Sequence, residues 1–143
     1  MKLYTIGFTR KSAASFFETL KQSETRRLID VRLHNVSQLA GFAKRQDLEY
    51  FLREVGNIDY LHLLELAPTH EMLSEYRKGD HDWARYERRF LELMEERTIE
   101  ELPRGEFADA CLLCSEATAD RCHRRLVAEY LKHHWGDVEI VHL

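Results

Sequence analysis

The residues best suited to chemistry lie together in the segment Cys114–Arg125, which reads CSEATADRCHRR. An apolar run that predicts a buried strand precedes this segment, and a predicted helix follows it. Ligand sites in open parallel sheets lie at the carboxyl ends of the strands, where loops and helix N-termini converge. We therefore expect a binding or catalytic site at the end of this strand.

Two thiols in the segment are candidate nucleophiles. A helix N-terminus, predicted here with Thr118 as its N-cap, favours an anion, and it lowers the pKa of a nearby thiol together with neighbouring arginines. Cys114 or Cys122 would then attack a substrate, while Glu116 or His123 transfers protons.

The cysteines also have structural and metal-binding interpretations. A cysteine in an apolar strand is usually a small core residue, which we expect of Cys111 and hold equally open for Cys114. Strand alternation places these two on opposite faces, which argues against a zinc knuckle. A mixed site of Cys114, Cys122, His123 and His62 matches no standard zinc spacing, so the sequence predicts no metal.

A second group of candidate residues follows the first two predicted strands. In the functional interpretation, Arg32 and Arg124 hold a substrate anion, and Asp30 orients the substrate or acts as a base. In the structural interpretation, Asp30 belongs to an ion pair, with Arg124 as one possible partner. Gly7 would allow the backbone to approach a ligand closely.

Short β-type runs alternate with helical periods, which predicts a parallel sheet covered by helices. Ser12 is the expected N-cap of the first helix, and Gly56 is expected to end the second in the left-handed region. The predicted strands are Lys2–Phe8, Arg27–Leu33, Asp59–Leu66, Ala108–Cys114 and Val138–His142. The predicted helices are Ser12–Gln22, Asp47–Val55, Asp82–Leu102 and Ala119–His134, with one further turn at Met72–Arg77. The expected fold is a single three-layer α/β domain over residues 1–143.

The composition excludes several classes of protein. The chain has 25 acidic and 21 basic residues and therefore a net charge of −4. This charge does not indicate a protein that coats nucleic acids. Its apolar residues form no run of about 18, so we expect no membrane association. Three cysteines are an odd number, which favours reduced thiols in the cytoplasm.

Several motifs together resemble the DUF488 family, a domain of unknown function, from the first strand to the final VHL. They are Thr5-Ile6-Gly7, Asp30-Val31-Arg32, Ser37 with Phe42, Tyr60 with His62, and Cys-x-Glu-x5-Cys-His-Arg at Cys114–Arg124. The resemblance implies a compact α/β fold with a shared pocket of polar residues, and it implies no particular reaction. The chain departs from the family pattern at Phe8-Thr9, where members usually carry His-Ser, and at Leu66-Ala67-Pro68, where they usually carry Leu-Gly-Gly.

These observations lead to one main hypothesis and two alternatives. The main hypothesis is an enzyme that acts on a small anionic or nucleotide-like substrate at the carboxyl edge of the sheet. The alternatives are a non-catalytic module that binds a nucleotide or nucleic acid, and a purely structural Cys-Glu-Cys-His-Arg network. The sequence assigns no cofactor and no oligomeric state.

Overall fold

Five parallel strands form the sheet at the centre of the fold. In the computed structural model, which describes residues 1–36 and 41–143, they are β1 (Lys2–Gly7), β2 (Arg27–Asp30), β3 (Asp59–His62), β4 (Ala110–Cys114) and β5 (Glu139–His142). The strand order is β3-β2-β4-β1-β5, and every neighbouring pair is parallel. The predicted parallel α/β sheet is therefore confirmed, whereas Ser37 lies outside the described residues.

Helices cover both faces of this sheet and complete the predicted three layers. They are α1 (Ala13–Gln22), α2 (Arg45–Gly56), α3 (His70–Lys78), α4 (Trp83–Glu96) and α5 (His123–Trp135). Helices α1 and α2 bury apolar side chains with one face of the sheet, including Phe16, Leu20 and Leu48. Helices α4 and α5 do so with the other face, through residues such as Phe90 and Leu126. None of the described helices is both long enough and apolar enough to cross a bilayer.

The strand connections create a crevice between β2 and β4. The chain leaves β2 towards the β3 edge of the sheet and leaves β4 towards the opposite, β5 edge. Neighbouring strands whose connections diverge in this way leave their carboxyl ends open to a ligand. The segment that follows β4 begins with the Cys114–Arg125 candidates, so the topology places them at this crevice.

The strands and the second helix end differently from their predictions. Strand β2 stops at Asp30 because the side chain of Asp30 accepts a hydrogen bond from the backbone N–H of Arg32, at 3.1 Å. Strand β3 stops at His62, and a 3₁₀ turn takes up the rest of its predicted run. Helix α2 includes Gly56, and the left-handed residue is Asn57 instead.

The other helices also depart from their predicted bounds. Ser12 does cap α1, since its side chain accepts a bond from the backbone of Ser15. Helix α3 is nine residues long, well beyond the single predicted turn. The long helix predicted to Leu102 ends at Glu96, because Thr98 takes up the left-handed conformation. Helix α5 begins at His123, so Thr118 is not its N-cap; Cys122 holds that position.

Candidate functional site

A cavity of about 330 Å³ lies at the crevice between β2 and β4. Residues that follow these two strands form one wall, and side chains of α3 and α4 form the other. Among the described residues, the lining includes most of the predicted site: Arg32, Cys114, Glu116, Cys122 and His123. It also includes Phe8, Pro68, Tyr76, Arg77, Trp83, Tyr86 and Arg121.

Cys114 and His123 form a thiol–imidazole pair at the cavity wall. The Sγ atom of Cys114 lies 3.6 Å from Nδ1 of His123. The other ring nitrogen, Nε2, lies 2.7 Å from the carbonyl oxygen of Val31. A carbonyl can only accept, so Nε2 carries a hydrogen and Nδ1 of the neutral ring is free to take the thiol proton. The backbone thus fixes the tautomer in which His123 acts as a base towards Cys114.

The electrostatics of the pair favour an ionised Cys114. A hydrogen bond from Cys122 lowers the pKa of Cys114 well below its usual range, against burial, and the charge of His123 lowers it further. Burial lowers the pKa of His123, but the charge of Cys114 and the two hydrogen bonds more than compensate, so the pKa rises. Burial and the neighbouring Cys114 raise the pKa of Cys122. These shifts favour Cys114 over Cys122 as the thiol that ionises first.

The same groups are close enough to hold a metal ion. Ligand atoms of Cys114, Cys122 and His123 lie within 4.8 Å of one another, and all three side chains are buried. Two sulfurs and an imidazole nitrogen are donors that suit a soft divalent cation such as zinc. His62, the fourth residue considered from the sequence, instead contacts the carbonyl of Arg32, with Nε2 at 2.7 Å.

A buried carboxylate holds Arg32 through two of its three side-chain nitrogens. Its Nε and Nη2 donate to the two oxygens of Asp30 at 2.9 and 2.8 Å, and Nη2 also donates to the carbonyl of Ala43. The hydroxyl of Tyr60 donates to Asp30 at 2.6 Å. Within the described part of the chain, Nη1 of Arg32 is buried without a hydrogen-bond partner. A buried guanidinium nitrogen without an acceptor costs free energy, so an acceptor oxygen on a bound ligand would stabilise this atom.

This arrangement bears out the structural interpretation of Asp30 as a member of an ion pair, with a different partner from the one suggested. The side chain is 0 % exposed and does not line the cavity. Its ion pair is with Arg32 and not with Arg124, because the two residues of the Asp30-Val31-Arg32 motif fold back on each other just past the strand end. Asp30 thus orients Arg32, and only Arg32 reaches the cavity.

Arg124 and Gly7 serve the loop that follows β4 and do not line the cavity. Arg124 is 1 % exposed, and its Nη1 donates to the carbonyl of Glu116 at 2.6 Å. Nη1 also lies 3.6 Å from Sγ of Cys122, and Nε of Arg124 donates to the hydroxyl of Thr5. A Cβ on Gly7 would lie 1.6 Å from the carbonyl oxygen of Glu116. The close approach predicted at Gly7 is therefore real, but the approaching group is this loop.

Three aromatic side chains form a wall of the cavity that the sequence patterns did not predict. Tyr76, Trp83 and Tyr86 contact one another, with ring centroids 5.2 to 5.7 Å apart. Trp83 and Tyr86 have the helical spacing that apolar residues of a core and of a cavity wall both show. Periodicity therefore could not tell whether these two residues line a core or a cavity. Phe8 and Pro68, at two departures from the family pattern, also line this cavity.

Two cavity residues lie on the exposed loop that joins β4 to α5. Glu116 and Arg121 are both exposed at the cavity rim. The hydrogen bond from the buried Arg124 reaches the backbone carbonyl of Glu116 and not its carboxylate. His123, in contact with the thiol, is therefore better placed than Glu116 to act as the base.

Comparison with known proteins finds one family. The family model described as "Domain of unknown function DUF488" matches residues 12–131 of the 143-residue chain. This range contains Cys114 and His123, but not β1 with Gly7 and Phe8. No curated protein and no solved structure matches the chain.

Proposed function

This chain belongs to the DUF488 family, and we propose that it is a thiol-dependent enzyme acting on a small anionic, nucleotide-like substrate in the cavity between β2 and β4. The observation that carries the proposal is the thiol of Cys114, 3.6 Å from Nδ1 of His123, at the wall of a cavity of about 330 Å³. A nucleophile in contact with an oriented base is the arrangement that covalent catalysis requires. Val31 orients this base through its carbonyl.

The anionic character of the substrate follows from the guanidinium groups of the cavity. Arg32 brings a buried Nη1 that has no hydrogen-bond partner among the described residues, and Asp30 holds its plane in place. Arg77 and Arg121 add two further guanidinium groups to the lining. Arginine forks match the geometry of phosphate and carboxylate oxygens.

The aromatic wall supports a substrate that also carries a flat ring. Tyr76, Trp83 and Tyr86 form a contiguous aromatic surface on the α3 and α4 side of the cavity. Flat rings stack on such surfaces, and guanidinium groups nearby bind an attached anion. A nucleotide-like molecule combines both features.

The reaction proceeds in two displacements. The thiolate of Cys114 forms a bond to an electrophilic carbon of the substrate, while the bond to the leaving group breaks with its electron pair. His123 gives its Nδ1 proton to the leaving group. In the second displacement, His123 takes a proton from water, the hydroxide attacks the same carbon, and the sulfur leaves as the thiolate.

A non-catalytic anion-binding module is the second candidate, because Nη1 of Arg32, which has no partner in residues 1–36 and 41–143, would bind an anion without any thiol chemistry. The two candidates differ in what they require of Cys114. In a non-catalytic module, Cys114→Ser leaves anion binding unchanged and there is no turnover to lose. In the proposed enzyme, the same replacement keeps binding and abolishes turnover.

The test measures alkylation of the reduced protein by iodoacetamide across pH, with the modified cysteine identified by mass spectrometry. We expect Cys114 to react below the pH range of an ordinary thiol, and faster than free cysteine there. His123→Gln should remove this advantage, while the control His133→Gln, exposed on the same helix, should keep it. A rate for Cys114 no faster than that of free cysteine would overturn the proposal.

A further inference from the structure

Cys122 is a second thiol beside the proposed nucleophile, and the proposed reaction does not use it. Its sulfur lies within 4.8 Å of that of Cys114, and both residues line the cavity. The two thiols are 2 % and 5 % exposed, respectively. Cys111 lies on the opposite face of β4, in the other core cluster, so it cannot take part.

We propose that Cys114 and Cys122 form a dithiol that reduces a hydroperoxide in the cavity, with Cys114 attacking the peroxide and Cys122 completing a disulfide. The proposal goes beyond the proposed function and shares with it the nucleophile Cys114, the proton donor His123 and the cavity arginine Arg32. It adds an activity and a covalent modification of this site.

The first step oxidises Cys114. Its thiolate attacks one oxygen of the hydroperoxide, a sulfur–oxygen bond forms, and the oxygen–oxygen bond breaks. The departing alkoxide or hydroxide takes a proton from Nδ1 of His123 and leaves as an alcohol or water. The positive guanidinium of Arg32, at the same cavity, stabilises the negative charge that develops on this oxygen.

The second step forms the disulfide. The thiolate of Cys122 attacks the sulfur of the Cys114 sulfenic acid, the sulfur–sulfur bond forms, and hydroxide leaves to become water with the proton that Cys122 gave up. The two thiols together supply the two electrons that the hydroperoxide accepts. Reduction of the disulfide by an external thiol returns the starting state.

The position of Arg124 favours Cys122 as the thiol that closes the disulfide. Its Nη1 lies 3.6 Å from Sγ of Cys122. This guanidinium stabilises a thiolate on Cys122 once Cys114 has become an uncharged sulfenic acid.

The disulfide requires the side chains of Cys114 and Cys122 to turn towards each other. A disulfide needs its sulfurs about 2.05 Å apart, so the pair must approach from its present separation. Cys114 ends β4, and Cys122 lies at the N-cap position of α5, outside the helix proper. The side chain of Cys122 makes no capping hydrogen bond, so its rotation costs the helix nothing.

Trypsin offers a direct readout of the disulfide. Cleavage after Arg121 and Arg124 places Cys122 in the peptide Cys-His-Arg, separate from the peptide that carries Cys114. The test treats the reduced Cys111→Ala protein with one equivalent of hydrogen peroxide, blocks the remaining thiols with iodoacetamide and analyses the non-reduced digest. We expect the two peptides to be joined, with the loss of two hydrogens, and to separate on reduction.

Two variants in the same background define the roles of the thiols. Cys122→Ser should stop at the sulfenic acid of Cys114, which dimedone traps, and then oxidise further to the sulfinic acid. Cys114→Ser should lose the fast peroxide reaction, so that Cys122 is recovered alkylated. Thermal unfolding of each reduced variant shows that it is folded.

Two results would overturn the dithiol. One is recovery of both cysteines as alkylated thiols after peroxide treatment. The other is sulfinic acid on Cys114 with Cys122 free and no joined peptide. In either case, fast alkylation of Cys114 by iodoacetamide would leave the proposed function standing, so the two failures are distinguishable.

Discussion

Replacement of Gly7 by Ala tests the position of the loop that carries the candidate site. The added Cβ would lie 1.6 Å from the carbonyl oxygen of Glu116 and 2.9 Å from Nη1 of Arg124. Real Cβ atoms essentially never approach another heavy atom closer than 3.0 Å, so the carbonyl must retreat by about 1.4 Å. The obstacle is the backbone, which cannot rotate away as a flexible side chain does.

The cost of this retreat can be estimated from the bonds that it breaks. Nη1 of Arg124 donates to the same carbonyl at 2.6 Å, and a shift of this size removes the bond. Loss of a hydrogen bond to a buried charged group costs about 1.5–3 kcal/mol, and overpacking adds to it. We expect Gly7→Ala to lower the free energy of unfolding by about 2–4 kcal/mol.

Urea unfolding measures this difference, with Gly105→Ala as the matched control. A Cβ at Gly105 meets no atom within 4 Å, so its effect should stay within about 0.5 kcal/mol. The iodoacetamide rate of Cys114 should also change in Gly7→Ala, because the displaced loop begins at this residue. Stability and alkylation both equal to wild type would show that the Glu116 carbonyl does not lie against Gly7.

Three further predictions concern the ion pair, the thiol and the anion. Asp30→Asn should cost about 3–5 kcal/mol in urea unfolding, because it leaves Arg32 buried without its carboxylate; the control Asp59→Asn, at an exposed pair, should cost less than about 1 kcal/mol. The hydrogen bond with Cys122 is the chief cause of the lowered pKa of Cys114. The ionised thiol therefore stabilises the fold at a pH above the pKa of an unfolded thiol, and this stabilisation is lost as the pH falls through the pKa of the folded state. The unfolding free energy of wild type minus Cys114→Ser should therefore rise with pH, and a constant difference would contradict the ionised thiol. Inorganic phosphate should slow alkylation of Cys114 by iodoacetamide, and Arg121→Gln should weaken this protection; equal rates with and without phosphate would contradict an anion site.

The sheet and the location of the site were predictable because each leaves a local signal. The unbroken apolar run before Cys114 is typical of a central strand with both faces buried, and β4 is the middle strand of the sheet. The end of such a strand is where parallel sheets expose backbone and side chains to ligands. The density of titratable residues after Cys114 therefore identified one side of the cavity.

The start of α5 was mispredicted because distant contacts override local preference there. Thr118 followed by Ala119 is a good helix start by local sequence. The structure holds this stretch as a loop, because the Glu116 carbonyl is fixed between Gly7 and the Arg124 guanidinium. Gly7 lies more than a hundred residues away in sequence, and no local pattern could report that contact.

The two buried arginines of the site differ in what balances their charge, and this difference bears on the thiols. Arg32 is paired with Asp30, whose two carboxylate oxygens both accept hydrogen bonds from it. Arg124 is equally buried, yet it makes no ion pair with a carboxylate in residues 1–36 and 41–143. A buried charge without a counter-charge is costly, and the contact of Arg124 that can become negative is the sulfur of Cys122. Its neighbour Cys114 is the more readily ionised of the two thiols. A thiolate on Cys122, or on Cys114 beside it, would balance this charge, so the burial of Arg124 supports the proposed ionisation of the thiol pair.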